Sequence, residues 1–384
     1  MLEKLGKKAL IAPIGIGIVL CCVLSLAVAP LLRANPQHVP FAIVNLDKGA
    51  VTIAGSSNIG QTMADNLISG ETSLGGDSDN EGGSNNSLAD AVSWTQLSSE
   101  EELQEALASN EYYGGIVIPA NFTSQQMSKA VGLSNAPELT VYLNKAKSPQ
   151  MVSNMQTTIS TAMLKMGIAA TIEVVNDADV GGGSMSEIMS VQMMVMPLFM
   201  LTMIGSIVTS LVFWKKDATG LRKKNAWLAA LAQLLFIVVL SAIMAGLALF
   251  VDAVAGGLSL PTGMIYPFLW FGCFCCMLCF VSLCDACFPL GALVAVSTFA
   301  LGMGTAMMAP EMLPSFWADW ICPWAPQAHY GNGIRTIIYL GHMPSMNDLA
   351  PFLGFAAVGI VALIVAALLS KRGEAGKKYT VANS

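Results

Sequence analysis

Six uncharged runs divide this chain: Ala9–Leu32, Val191–Trp214, Ala226–Val251, Ile265–Cys284, Ala286–Ala309 and Ala350–Ser370. Each is long enough to cross about 30 Å of hydrocarbon at about 1.5 Å per residue. In lipid the backbone N–H and C=O groups have no water to bond, so runs of this kind fold as helices that satisfy those groups internally. Composition agrees: 54 % of residues are hydrophobic and 11 % charged, with a mean hydropathy of +0.61, too apolar for an ordinary soluble domain. The expected fold class is a membrane protein: an α-helical bundle of six transmembrane helices, one plus five, with an α/β extracellular domain inserted after the first helix.

Lysine and arginine set the orientation, because short basic loops stay in the cytoplasm. Lys4, Lys7 and Lys8 lie in the tail 1–8, ahead of the span 9–32. Lys215, Lys216, Arg222, Lys223 and Lys224 fill the loop 215–225, between the spans 191–214 and 226–251. Lys371, Arg372, Lys377 and Lys378 lie in the tail 371–384. Six crossings bring all three clusters to one side, so both termini are expected in the cytoplasm of a cell (plasma) membrane protein, with 33–190 outside. Ala27-Val28-Ala29 resembles a cleavage site, but the apolar run before it is far longer than a signal peptide needs. An uncleaved anchor is expected.

Periodicity in the outer segment switches between two and 3.6. Strands are expected at Phe41–Asp47, Val92–Leu97, Gly115–Pro119 and Leu139–Asn144, and helices at Asn58–Ser69, Ser99–Asn110, Asn121–Val131 and Ser148 to about Val175. Ser99 and Glu102 have the spacing of a capping box. The alternation predicts a small open sheet with parallel pairings and crossover helices. The stretch 70–91, rich in Gly, Ser, Asn and Asp, reads as a flexible loop. Asp77, Asp79, Glu81 and Gly82 imitate the start of a calcium loop, but Leu88 stands where a bidentate Glu is needed. Residues 34–189 carry 17 acidic and 5 basic side chains, a balance that argues against nucleic acid as a partner. Of nine cysteines only Cys322 lies in an external loop, so the outer domain must be held by its core.

Four strings carry a resemblance: "FAIVNLDKGA" from Phe41, then "NIG", "EELQEALASNEYYGGIVIPANF" and "LTVYLN". In this order, with a one-plus-five arrangement of spans, the chain resembles the phage infection protein family among the ABC type-2 transporter-like membrane proteins. The motif positions are Asn45, Asp47, Lys48, Gly49, Pro119, Asn121 and Phe122. A later string, "CPWAPQAHYGNGIRTIIYLG", resembles the external hairpin of that clan through Pro323, Pro326, Gly333 and Arg335. The resemblance implies a homodimer and an exporter-like permease that moves an amphiphilic or polymeric substrate outward. It also implies a separate ABC ATPase subunit docking on Lys215, Lys216, Arg222, Lys223 and Lys224. The alternative is a non-transporting surface receptor or scaffold. The large coiled-coil insertion of some family members is missing, so activity tied to that insertion is not implied.

The residues themselves point away from catalysis. No P-loop G-x-x-x-x-G-K-[ST], H-E-x-x-H or G-x-S-x-G occurs, and no cofactor is expected in this chain. Met185, Met189, Met193, Met196, Met200 and Met203 recur every three or four residues, tracing one face of the second span. That stripe reads as an adaptable interface or path, with a Cu(I) path the sharper alternative. Cys284 and Cys287 form a lone C-x-x-C, without the further ligands zinc needs. In the hairpin 310–349, Trp317, Trp320, Trp324, Tyr330 and Tyr339 suggest an interfacial belt. Its Pro323, Pro326 and Gly333 suggest broken helices that line a gate.

Overall fold

Val39–Asn45 forms strand β1, whose residues alternate between two cores. Val39, Phe41 and Ile43 enter one apolar cluster, and Ala42 and Val44 the other. A strand covered on both faces belongs in the middle of a sheet. In the computed structural model β1 lies between β4 (Val92–Leu97) and β5 (Gly114–Ile118), parallel to both. Described are residues 36–52, 55–69, 92–130, 138–166, 168–181 and 184–382, with Cys22, Ser25, Leu26, Ala29 and Pro30 ahead of them. The loop expected at 70–91, and almost all of the first expected span Ala9–Leu32, fall outside the described residues.

The five-stranded sheet has the order β4-β1-β5-β6-β7. A two-stranded hairpin, β2 (Ala50–Thr52) with β3 (Gly55–Ser57), stands beside it. Helix α1 (Ile59–Ser69) leads toward β4, α2 (Glu100–Ala108) joins β4 to β5, and α3 (Phe122–Ala130) leads toward β6 (Glu138–Asn144). Two expectations are corrected. β5 and β6 pair antiparallel, so the sheet is mixed. The helix expected from Ser148 to about Val175 ends early: α4 spans Pro149–Met166, and Ala169–Val175 is a fifth strand, β7, parallel to β6.

Helix α2 packs Leu103, Ala106 and Leu107 on one face of the sheet. Helix α4 packs Met151, Met155, Ile159 and Met163 on the other, each side chain worth about 1.5–3 kcal/mol of burial at most. This second cluster extends without a break into Met308, Met312, Leu313 and Cys322 of the membrane part. The soluble domain is thus seated on the hairpin by shared core.

Among the described residues, five helices are long and apolar enough to cross a membrane: Met189–Lys215, Ala226–Val254, Thr262–Ala286, Phe288–Ala306 and Met346–Ser370. They belong to α5 (Ser184–Ser210, continued helically to Lys215), α6 (Ala226–Phe250), α7 (Thr262–Ala286), α8 (Phe288–Met307) and, after the hairpin helix α9 (Pro326–Arg335), α10 (Met346–Ala382). α7 is the enclosed one, with Cys273, Cys276, Met277, Phe280 and Val281 all fully buried. On α6, by contrast, Leu231, Leu235, Val239, Ile243 and Leu247 stay exposed, as a lipid-facing stripe requires.

Candidate functional site

The basic loop is a built structure. Asp217 sits at a positive φ of 49°. It accepts Arg222 N at 3.1 Å and Lys223 N at 3.2 Å, capping the helical turn Leu221–Lys224. Asn225 caps the next helix by accepting Trp227 N at 3.0 Å. Trp214 is buried, and the Arg222 guanidinium lies 5.7 Å from its ring centroid. Lys215, Lys216, Lys223 and Lys224 are exposed, and Arg222 is half-buried.

Behind the loop, at the last turn of α7, Asp285 is 4 % exposed. Ser210 donates to its Oδ1 at 2.6 Å, and its Oδ2 has no hydrogen-bond partner among the described residues. Gln233, fully buried, has no hydrogen-bond partner for either amide atom among the described residues. Sequence reasoning noted Asp285 only as a turn residue and missed Ser210 and Gln233. The signal available was a lone amide inside an apolar run. Cys284 is buried and Cys287 exposed, both with free thiols.

The resemblance motif around Asn45 closes into a knot. Asp47, 8 % exposed, accepts Gly60 N at 3.1 Å and the Thr123 hydroxyl on Oδ2, and Thr123 N at 3.2 Å on Oδ1. One carboxylate therefore caps the N-termini of α1 and α3 together, where helix dipoles favour negative charge. Asn45 Oδ1 accepts Asp47 N, and Asn58 Nδ2 donates to Asp47 O. At Gly60 an added Cβ would stand 2.7 Å from the Asp47 side chain, so only glycine lets the carboxylate this close. Pro119 O accepts Phe122 N, Phe122 is buried in the core, and Asn121 and Lys48 are exposed.

The hairpin descends among the spans. Pro326 opens α9 at its first turn. Gln327 then donates to Thr298 O at 2.9 Å, midway along α8. Tyr330, 1 % exposed, fits the notch at Gly272 of α7, where a Cβ would meet the phenol oxygen at 2.6 Å. Gly333 similarly receives the Phe268 ring. Tyr330 and Tyr339 are therefore buried and take no part in the expected belt, whereas Trp320 is 72 % exposed and Trp324 37 %. Pro323, at the exposed tip, has its carbonyl 3.2 Å from His329 Nε2.

At its upper end the hairpin meets the soluble domain around a polar cavity of about 270 Å³. Tyr113 donates to Glu311 Oε2 at 2.6 Å. Burial first, and then the Glu311 charge, push the Tyr113 phenol well above its ordinary value of 10. Lys147 donates to the carbonyls of Asn110 and Glu111 at 3.1 and 2.6 Å; burial pulls its pKa down, against the opposing pull of Glu311 and Glu111. Buried Asn144, bonded through Nδ2 to Leu107 O, Tyr112 O and Asn110 Oδ1, sets the turn that presents Lys147. Arg335 and Asp348 complete the wall. Of these residues the sequence motifs held Arg335, and Tyr113 only as part of the string "EELQEALASNEYYGGIVIPANF"; Lys147 and Asp348 were missed.

The methionine stripe stays on the outside of the bundle: Met189, Met196 and Met200 are exposed and Met203 is half-buried. The side chains of Met185 and Met193 lie outside the described residues.

A bundle of apolar helices with a sheet domain beside it and a hairpin returning among the spans defines a multi-pass membrane protein. The profile of the family described as ABC-2 family transporter protein matches residues 7–369. The chain belongs to that family and is the permease membrane component of such a transporter. Comparison with curated proteins and with solved structures gave no match.

Proposed function

We propose that this permease is of the phage infection protein type and exports an amphiphilic or polymeric substrate. It works as a homodimer with both termini in the cytoplasm, and a separately encoded ATPase docks on residues 215–224. The observation that carries the docking reading is the construction of that loop. Basic residues that only enforce topology need charge but no fixed geometry. Here Asp217, Trp214 and Arg222 hold the loop in one conformation, with four lysines turned outward over the buried Ser210–Asp285 pair. Permeases of this family usually pair with an ATPase, and the described residues offer no nucleotide-binding loop of their own.

The test is a mild-detergent pull-down of tagged protein from its native membrane, with quantitative mass spectrometry. A nucleotide-binding protein at near one-to-one stoichiometry is expected, lost when Lys215, Lys216, Lys223 and Lys224 are changed to Glu. Thiol labelling of exposed Cys287 from each side of the membrane controls for inverted topology. Recovery of the homodimer alone, or with surface proteins only, would overturn the powered-permease reading in favour of a receptor or scaffold.

A further inference from the structure

Two cations and two carboxylates line one cavity without pairing with each other. Lys147 and Arg335 face it together with Glu311 and Asp348. Among the described residues neither cation stands within 4.0 Å of a carboxylate oxygen. Arg335 is 8 % exposed, and its hydrogen-bond partner is Asn332 Oδ1, at 2.5 Å. Most of the five guanidinium donors are therefore unspent, and they open on the cavity. A purely anionic ligand would satisfy the cations but set its charge against Glu311 and Asp348. A ligand carrying one charge of each sign satisfies both pairs.

The cavity is smaller than the roughly 300 Å³ at which ordinary small-molecule pockets begin, and it does not stand alone. An apolar groove of about 550 Å³ runs between the hairpin tip and α10, walled by Trp324, Pro351, Gly354 and Phe355. Asp348 of the polar cavity and Pro351 of the groove are three residues apart on α10, less than one helical turn. The polar cavity thus lies beside the head of the span Met346–Ser370, and the apolar groove begins about one turn further along the same helix.

We propose that cavity and groove together bind one zwitterionic phospholipid. Its phosphate rests on Arg335 and Lys147, its ammonium on Glu311 and Asp348, and one acyl chain lies in the groove. The site requires only that the chain span a bilayer, and holds whether or not an ATPase docks on the basic loop.

The experiment is native mass spectrometry of the delipidated full chain in detergent. It is titrated with dioleoyl phosphatidylethanolamine, with dioleoyl phosphatidylglycerol, and with soluble glycerophosphoethanolamine. One phosphatidylethanolamine per chain is expected, at least tenfold tighter than phosphatidylglycerol and at least a hundredfold tighter than the soluble headgroup. Arg335→Gln should weaken binding tenfold or more, and Asp348→Asn should shrink the preference between the two lipids. Because removing Arg335 can unfold the hairpin, Gly354→Leu is the second variant. A Cβ there meets nothing within 4 Å, so the new side chain fills the groove and should block the lipid while leaving the fold intact. Phosphatidylglycerol binding as tightly would overturn the zwitterionic assignment. Equal affinity for the soluble headgroup, or unchanged lipid binding in Gly354→Leu, would overturn the lipid assignment.

Discussion

Replacing Asp47 with Ala removes a carboxylate that three donors share across two helix N-termini: Gly60 N–H, Thr123 N–H and the Thr123 hydroxyl. A hydrogen bond to a charged group contributes about 1.5–3 kcal/mol, and a lost N-cap costs about 0.5–2 kcal/mol. The three do not add in full, because the Thr123 hydroxyl oxygen already receives Ile59 N at 2.7 Å and lies 3.5 Å from Gly60 N. A net loss of about 3 kcal/mol follows. That is a large share of the 5–15 kcal/mol typical of a whole domain, yet too little to abolish folding. Hydrogen exchange on the full chain in detergent reads it directly. Opening of α1 and α3 should become on the order of 100-fold more frequent, at about 1.4 kcal/mol per factor of ten. Asp47→Asn keeps an acceptor but loses the charge, and should give about tenfold. A rise below about threefold at Gly60 and Thr123, or an equal rise in the amides of α7, would refute the capping account.

Gly272→Val should overpack the notch filled by Tyr330. It costs about 1–3 kcal/mol and lowers the thermal midpoint in detergent by several degrees; an unchanged midpoint would mean that the hairpin is not wedged. Tyr142 donates to Glu100 at 2.6 Å, and this bond first, then burial, raises its pKa to about 12. Since the folded value exceeds the unfolded value of about 10, the bond's contribution is complete below pH 10 and fades as the pH rises through 12. A phenolate difference titration of wild type against Tyr142→Phe should show a component ionising near 12, and a midpoint near 10 would contradict the bond. Asp285→Asn removes a buried charge with one unpartnered oxygen and keeps an acceptor for Ser210. The thermal midpoint should hold or rise, whereas a fall of several degrees would show that the charges of Lys215 and Arg222 outweigh desolvation.

The parts of the fold legible in the sequence were those whose faces are buried consistently. β1 and β5 read as strands because both faces enter cores, and five of the spans because lipid imposes length and apolarity. β7 was read as helix because "AATIEVV" sits at the sheet edge with alternate residues exposed. Seven residues that follow a helix directly do not separate a period of two from one of 3.6. The Asp47 knot was visible as a string of motif residues but not as a double cap, since Gly60 and Thr123 stand 13 and 76 residues away. The junction cavity had no local signal. Tyr113 and Glu311 meet across 198 positions, and their proximity follows from the apolar seat that Met308 and Met312 make for α4.

α7 links the two ends of the molecule. Its first half holds the hairpin: Leu269 O accepts the Tyr330 hydroxyl at 3.3 Å, and Phe268 packs on both Tyr330 and Phe352. Its last turn carries Asp285, bonded to Ser210 on the helix that runs into the basic loop. Between them the helix is packed on all sides, with Cys273, Cys276, Phe280 and Val281 fully buried, and close-packed interiors transmit displacement instead of absorbing it. Thr262–Ala286 is 25 residues long, roughly 38 Å at 1.5 Å per residue, enough to reach from one membrane face to the other. Under the permease reading, a force applied to the loop at Arg222 reaches Tyr330 along this one helix.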